Sequence, residues 1–145
     1  MLNTPKNGPV MIVDENIHDL TLICKALDSI RVSNKVNLYS SAEQALQYLE
    51  TTTDKPFLIL VNTTLPGMSG LEFLSKIFET EHLRAKSIPF IFLSNSDSPD
   101  LVSEAYKIRA QGYFLMPKVY IQLKLILFSI TDYWQRTVHP SSIEH

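Results

Sequence analysis

The residues of this chain whose types could do chemistry stand at the ends of short apolar runs. Asp14 and Glu15 follow Val10-Met11-Ile12-Val13, and paired carboxylates are oxygen donors of the kind that Mg²⁺ and Ca²⁺ take. Asn62 follows the run from Phe57 to Val61 and precedes the turn sequence Leu65-Pro66-Gly67-Met68-Ser69-Gly70. Ser94 and Asn95 follow Pro89 to Leu93, and Met116 ends the run that begins at Gly112. A carboxylate at position 62 would be an anionic oxygen nucleophile. A carboxamide is neutral, and its nitrogen lone pair is delocalised into the carbonyl. Asn62 is instead suited to satisfying backbone groups at a strand end or turn. Ser94 has neither a glycine elbow nor a matched histidine, so a loop-bonding hydroxyl is expected there rather than a nucleophile. His18, His82, His139 and His145 lack metal-ligand spacing and are expected on the surface.

The elements that position these residues follow from the hydrophobic pattern. The runs beginning at Val10, Phe57 and Pro89 are nearly continuous in apolar residues, which is the pattern of strands covered on both faces of a parallel sheet. Val36-Asn37-Leu38-Tyr39 alternates, as an edge strand does. Between the runs lie helical repeats. Ile17, Leu20, Cys24 and Leu27 recur at three- and four-residue steps. Ser41 with Gln44 makes a capping box before Ala45, Leu46 and Leu49. Leu71, Leu74 and Phe78 mark a helix from Ser69 to about Glu79. Leu101, Ala105 and Ile108 mark a fourth, and Val119, Leu123, Ile126, Leu127, Ile130 and Trp134 give the last helix its core face. The alternation predicts an α/β, doubly wound (βα)₅ sandwich of the flavodoxin-like kind, with a five-stranded parallel sheet in the order 2-1-3-4-5. In such sheets chemistry sits beyond the carboxyl ends of the strands, where the residues above stand.

Length and composition narrow the function. The chain has 145 residues, one ordinary domain with a core expected over about 9–136 and fraying ends, including the stretch after Arg136. That length leaves no room for an attached output domain, so any output is expected on another chain. Thirteen basic and 15 acidic side chains, with no Lys/Arg cluster, give no electrostatic reason to expect nucleic acid. No apolar run approaches a membrane span, the polar N-terminus lacks the apolar core of a signal peptide, and Cys24 has no partner for a disulfide. A cytoplasmic location is expected.

In this order, the acidic pair Asp14-Glu15, the segment LPGMSGLEFL after the third run, the hydroxyl of Ser94 and the segment GYFLMP resemble the receiver domain of CheY-like response regulators over essentially the whole chain. The resemblance implies two-component, or phosphorelay, signalling. In that family an aspartate ending the third strand accepts a phosphoryl group from a histidine kinase. The acidic pair and the aspartate hold Mg²⁺, a lysine ending the fifth strand pairs with the phosphate, a Ser/Thr bonds a phosphate oxygen, and an aromatic residue reports the event. On this chain the phosphoacceptor position is Asn62, the lysine position is Met116, and the switch positions are Ser94 and Tyr113. Lys118 lies beyond Pro117 and misses the strand end. The family's Lys-Pro bond is cis, so a cis bond is expected between Met116 and Pro117.

Two departures of this kind imply a degenerate pseudo-receiver. Asn62 cannot form an acyl phosphate, and Met116 cannot neutralise equatorial phosphate oxygens. Lost together, the aspartate and lysine leave the formal charge balance of the pocket unchanged. Asp14 and Glu15 are then expected to be a vestigial acidic pocket that binds Mg²⁺ or Ca²⁺ weakly at best, and Tyr113 is expected to hold one state. No enzymatic activity and no other cofactor are expected.

A partner surface is expected on the last helix. At about 100° per residue, Ile121, Leu125 and Phe128 form an apolar stripe opposite the core face. The family often dimerises or docks through its fourth helix, fifth strand and fifth helix. A signalling protein or a second copy of the chain is the expected occupant. Two alternatives remain open in the sequence. One is a flavodoxin-like ligand-binding protein, although the acidic, glycine-free DENIHD after the first strand would repel a phosphate. The other is a cation-responsive receiver using Asp14 and Glu15.

Overall fold

The structure, a computed structural model, describes residues 5–138. A 3₁₀ turn at Pro5–Asn7 leads into β1 (Val10–Val13), α1 (Ile17–Ser29), β2 (Val36–Tyr39), α2 (Ala42–Thr51), β3 (Leu58–Val61) and α3 (Gly70–Glu79). There follow α4 (Glu81–Arg84), β4 (Phe90–Ser94), α5 (Pro99–Lys107), β5 (Gly112–Leu115) and α6 (Tyr120–Arg136). The strands pair in parallel in the order β2-β1-β3-β4-β5, as the pattern predicts. The reversal of strand order falls between β1 and β3, so their carboxyl ends open the crevice where Asp14 and Asn62 stand.

Strand alternation divides the core into two layers. Val10, Ile12, Leu58, Leu60, Ile91 and Leu93 face one way, against Leu20, Ile23 and Leu27 of α1 and Leu123, Leu127 and Ile130 of α6. Met11, Val13, Ile59, Val61, Phe90 and Phe92 face the other way, against α2, α3, α4 and α5. Each central strand therefore buries every residue, which explains why β1, β3 and β4 read as unbroken apolar runs. At the edge, β2 is only half-covered, in keeping with its alternation.

Side-chain caps fix where the helices begin. The side chains of Asn16, Ser41, Ser69 and Ser98 accept from the backbone N–H groups of Asp19, Gln44, Glu72 and Leu101. Two glycines fix the loop after β3. Gly67 has φ +71°, and a Cβ there would run into the carboxylate of Glu43, which accepts from Met68 N at 3.1 Å. At Gly70 a Cβ would lie 2.5 Å from the carbonyl oxygen of Asn62, so only glycine lets α3 start this close to the site strand.

Several expectations are corrected. No peptide bond among the described residues is cis, so Met116–Pro117 takes the trans form that is intrinsically preferred. Val119 and Ile17 are exposed, because the first caps α6 and the second opens α1, where those helices rise past the sheet. Ile23 and Ala26 fill the core side of α1 in place of Ile17 and Cys24. The one-turn helix α4 was not expected; four residues are too few to show a period. His18 and His82 are exposed as predicted; His139, His145 and most of the tail expected to fray lie outside the described residues.

Candidate functional site

Parallel register brings the strand-end residues together in pairs. Val13 lies beside Val61, so the next residues, Asp14 and Asn62, are neighbours in the crevice. The Asn62 side-chain nitrogen donates to Asp14 Oδ1 at 3.4 Å, and Asn16 N donates to the same oxygen at 3.1 Å. Asn62 also continues the sheet through its own N–H to the Val13 carbonyl, 3.0 Å away, and its Oδ1 accepts from Thr64 N at 3.3 Å. Asn62 thus does both things open to a carboxamide at a strand end: it serves a turn N–H and faces a carboxylate. Asp14 is 4% exposed, whereas Glu15 next to it is exposed. Burial pushes the Asp14 carboxyl above the ordinary aspartate range; the bonds from Asn16 and Asn62 pull it down, and the charges of Asp19 and Glu15 push it up.

A second pair lies on the opposite layer. Val61 lies beside Phe92, so continuing the register sets Thr63 beside Ser94. Both are buried, and their hydroxyl oxygens are 2.6 Å apart. Ser94 Oγ also accepts from Ser96 N at 3.1 Å, which makes it the loop-bonding hydroxyl expected from the sequence. The Tyr113 hydroxyl donates to the Ser96 carbonyl, and its ring packs 5.7 Å from that of Phe92. Thr63 and Ser96 were not singled out in the sequence. The signal for Thr63 is its parity with Val61, but it becomes readable only once the β3–β4 register is known.

Met116 stands apart from both pairs. Its backbone N–H donates to the Ser94 carbonyl at 2.7 Å, holding the β5 exit against β4. Its side chain is buried in the apolar layer shared with α1 and α6. Lys118 is exposed beyond Pro117.

A family model for the response regulator receiver domain matches residues 10–125. The chain belongs to the response-regulator receiver family. ARR5 of Arabidopsis thaliana, a two-component response regulator, is 32% identical over 127 residues, which cover 80% of this chain and 66% of ARR5. FilR2 of Methanothrix harundinacea, described as a probable methanogenesis regulatory protein, is 29% identical over 86% of this chain and 82% of its own length. Among solved structures, the phosphorylated cyanobacterial phytochrome response regulator RcpA superposes with a TM-score of 0.83 at 27% identity, over 92% of this chain and 98% of RcpA. No helix of the described residues is long and apolar enough to cross a membrane.

As a receiver, the chain is placed with signalling modules rather than with flavodoxin-like ligand binders. The phosphate loop that the latter would need is absent from the first turn of α1, where the Asn16 side chain already takes the Asp19 N–H. The Mg²⁺ site implied by the family is poorly matched by the donors present. Among the described residues no three His, Cys, Asp or Glu side chains are grouped to hold a metal ion. At Asn62 the amide nitrogen faces Asp14, while the oxygen that could serve a cation is turned to Thr64 N.

Proposed function

We propose that this receiver works without aspartyl phosphorylation, as a protein-interaction module of a two-component pathway. The observation that carries the reading is the Asp14–Asn62 pair: the residue at the end of β3 is a neutral amide that donates to the neighbouring carboxylate. A phosphoryl acceptor needs an anionic oxygen aimed outward, and catalysis of the transfer needs a cation held against the phosphate. Asn62 supplies no anion. Met116 supplies no cation and faces the apolar layer instead. The Ser94 hydroxyl is already engaged by Thr63 and by Ser96 N. On this reading the domain performs no catalysis, and Asp14 and Glu15 are a remnant with at most weak affinity for divalent ions.

Output then depends on a surface that does not wait for a phosphoryl signal. Ile121, Leu125 and Phe128 are 60, 62 and 52% exposed on one side of α6. A groove of about 720 Å³ runs beside the edge strand β5, lined by Tyr106, Tyr113, Phe114, Ile130, Tyr133 and Trp134. Exposed apolar side chains gathered along one helix mark a contact surface. The partner is a signalling protein or a second copy of this chain.

The test is intact mass after incubation with acetyl phosphate and Mg²⁺. The mass is expected to stay unchanged, while an active receiver treated alongside gains one phosphoryl group. A stoichiometric gain on any residue of the crevice would overturn the proposal.

A further inference from the structure

We propose that Thr63 is a positioning residue that holds the β4–α5 loop and Tyr113 in one arrangement, an internal lock for the groove beside β5. The inference rests on the phosphorylation-independent reading but stands on separate contacts. Four residues form a chain of hydrogen bonds across the carboxyl end of the sheet. Thr63 Oγ1 and Ser94 Oγ are hydrogen-bonded at 2.6 Å, with either hydroxyl able to donate; Ser94 Oγ accepts from Ser96 N at 3.1 Å; the Ser96 carbonyl accepts from the Tyr113 hydroxyl. Ser94 is fully buried and Thr63 nearly so.

The geometry makes the arrangement hard to leave. A buried hydroxyl without a partner costs more than a bond gains, so neither Thr63 nor Ser94 can turn away unless the other finds a replacement. Ser94 therefore keeps its oxygen toward Ser96 N, and Ser96 keeps its carbonyl toward Tyr113. Thr63 is fixed in turn from below. Its carbonyl accepts from Gly70 N at 3.0 Å, and a Cβ on Gly70 would come within 3.0 Å of the Thr63 Cα. The anchor thus sits in the rigid β3–α3 junction, and the element it steadies is a loop. At the far end, Tyr113 lines the groove beside β5, so the lock reaches that groove.

Three measurements test this, all on the full chain. In the wild type, a slowly exchanging hydroxyl proton from the Thr63–Ser94 pair is expected in the NMR spectrum. In Thr63→Val, which keeps the shape and removes the hydroxyl, exchange of the Ser96 amide is expected to accelerate roughly tenfold and the Tyr113 ring signals to shift. The Asp14 amide, bonded to the Tyr39 carbonyl on the other side of the sheet, is expected to keep its protection. Thr63→Ser is expected to restore both signals. Unchanged Ser96 and Tyr113 in Thr63→Val, or failure of Thr63→Ser to rescue them, would overturn the lock. So would the lack of a protected hydroxyl proton in the wild type, which decides the matter even if Thr63→Val does not fold. Intact mass of the same wild-type sample after acetyl phosphate separates the two ideas: a phosphoryl gain defeats the reading above, and only the exchange data bear on Thr63.

Discussion

At the scale of single residues, the crevice trades charge for hydrogen bonds. Asp14 is buried beside a carboxamide, with no cation in place of the amide. Because burial raises its carboxyl above the ordinary value of 3.8, the folded chain takes up that proton more readily than the unfolded chain. The contribution of Asp14 to stability is therefore complete below the unfolded value and declines as pH rises through the higher folded one. Asp14→Asn removes the titration and keeps an oxygen for Asn16 N and Asn62. The stability of the variant relative to its parent is expected to increase as pH rises from 4 through the raised folded value of Asp14. Urea melts of both proteins across that range measure it; a parent that gains on the variant with rising pH would reverse the sign. Asn62 itself was legible as a departure from a receiver, since only its type was needed. Its partner required the β1–β3 register, and the direction of its amide required the coordinates.

At the scale of elements, α6 carries two faces with different tasks. Leu123, Leu127 and Ile130 join the core, while Ile121, Leu125 and Phe128 stand out from it. The outer stripe could be read in the sequence because α6 is long enough to show its period over 17 residues. Nothing comparable announced α4, a single turn after Thr80, or the exposure of Val119 at a helix cap. The stripe is expected to drive association: Phe128→Asp should move an oligomer to the monomer position in size exclusion, or abolish capture by the partner, with a change in stability within about 0.5 kcal/mol. Phe128 is half-exposed, so a variant that melts much earlier would show that it serves the core instead. The starts of α2 and α3 were legible at Ser41 and Ser69, because the cap is a local bond between a side chain and an N–H three residues on, whereas the Asn16 cap of α1 was not read.

At the scale of the whole molecule, the fold was legible almost completely. Three unbroken apolar strands can only be covered on both faces, and right-handed crossovers then leave few arrangements. What the pattern could not supply was contact across strands, and the Thr63–Ser94 pair is the main instance. The trans Met116–Pro117 bond differs from expectation because that expectation came from kinship and not from the local chain. Stability offers a global test of the crevice. A ligand bound only by the folded chain stabilises it, and at a concentration equal to its Kd adds about 0.4 kcal/mol. The Tm in millimolar MgCl₂ is expected to match that in NaCl of equal ionic strength. A rise beyond about 1 °C that disappears in Asp14→Asn would show a working cation site.

The placement of Met116 ties the end of β5 to the interior of the fold. Its side chain belongs to the apolar cluster that the sheet forms with α1 and α6. A lysine introduced at that position would either carry an ammonium into hydrocarbon or pull its stem out and leave a void. Asn62→Asp alone would set a second carboxylate against Asp14 with no counterion. Each of these changes made alone therefore sets an uncompensated charge in the interior or its crevice, so acidic and basic groups at positions 62 and 116 would have to be introduced together, with the apolar packing around Met116 rebuilt to admit the longer side chain.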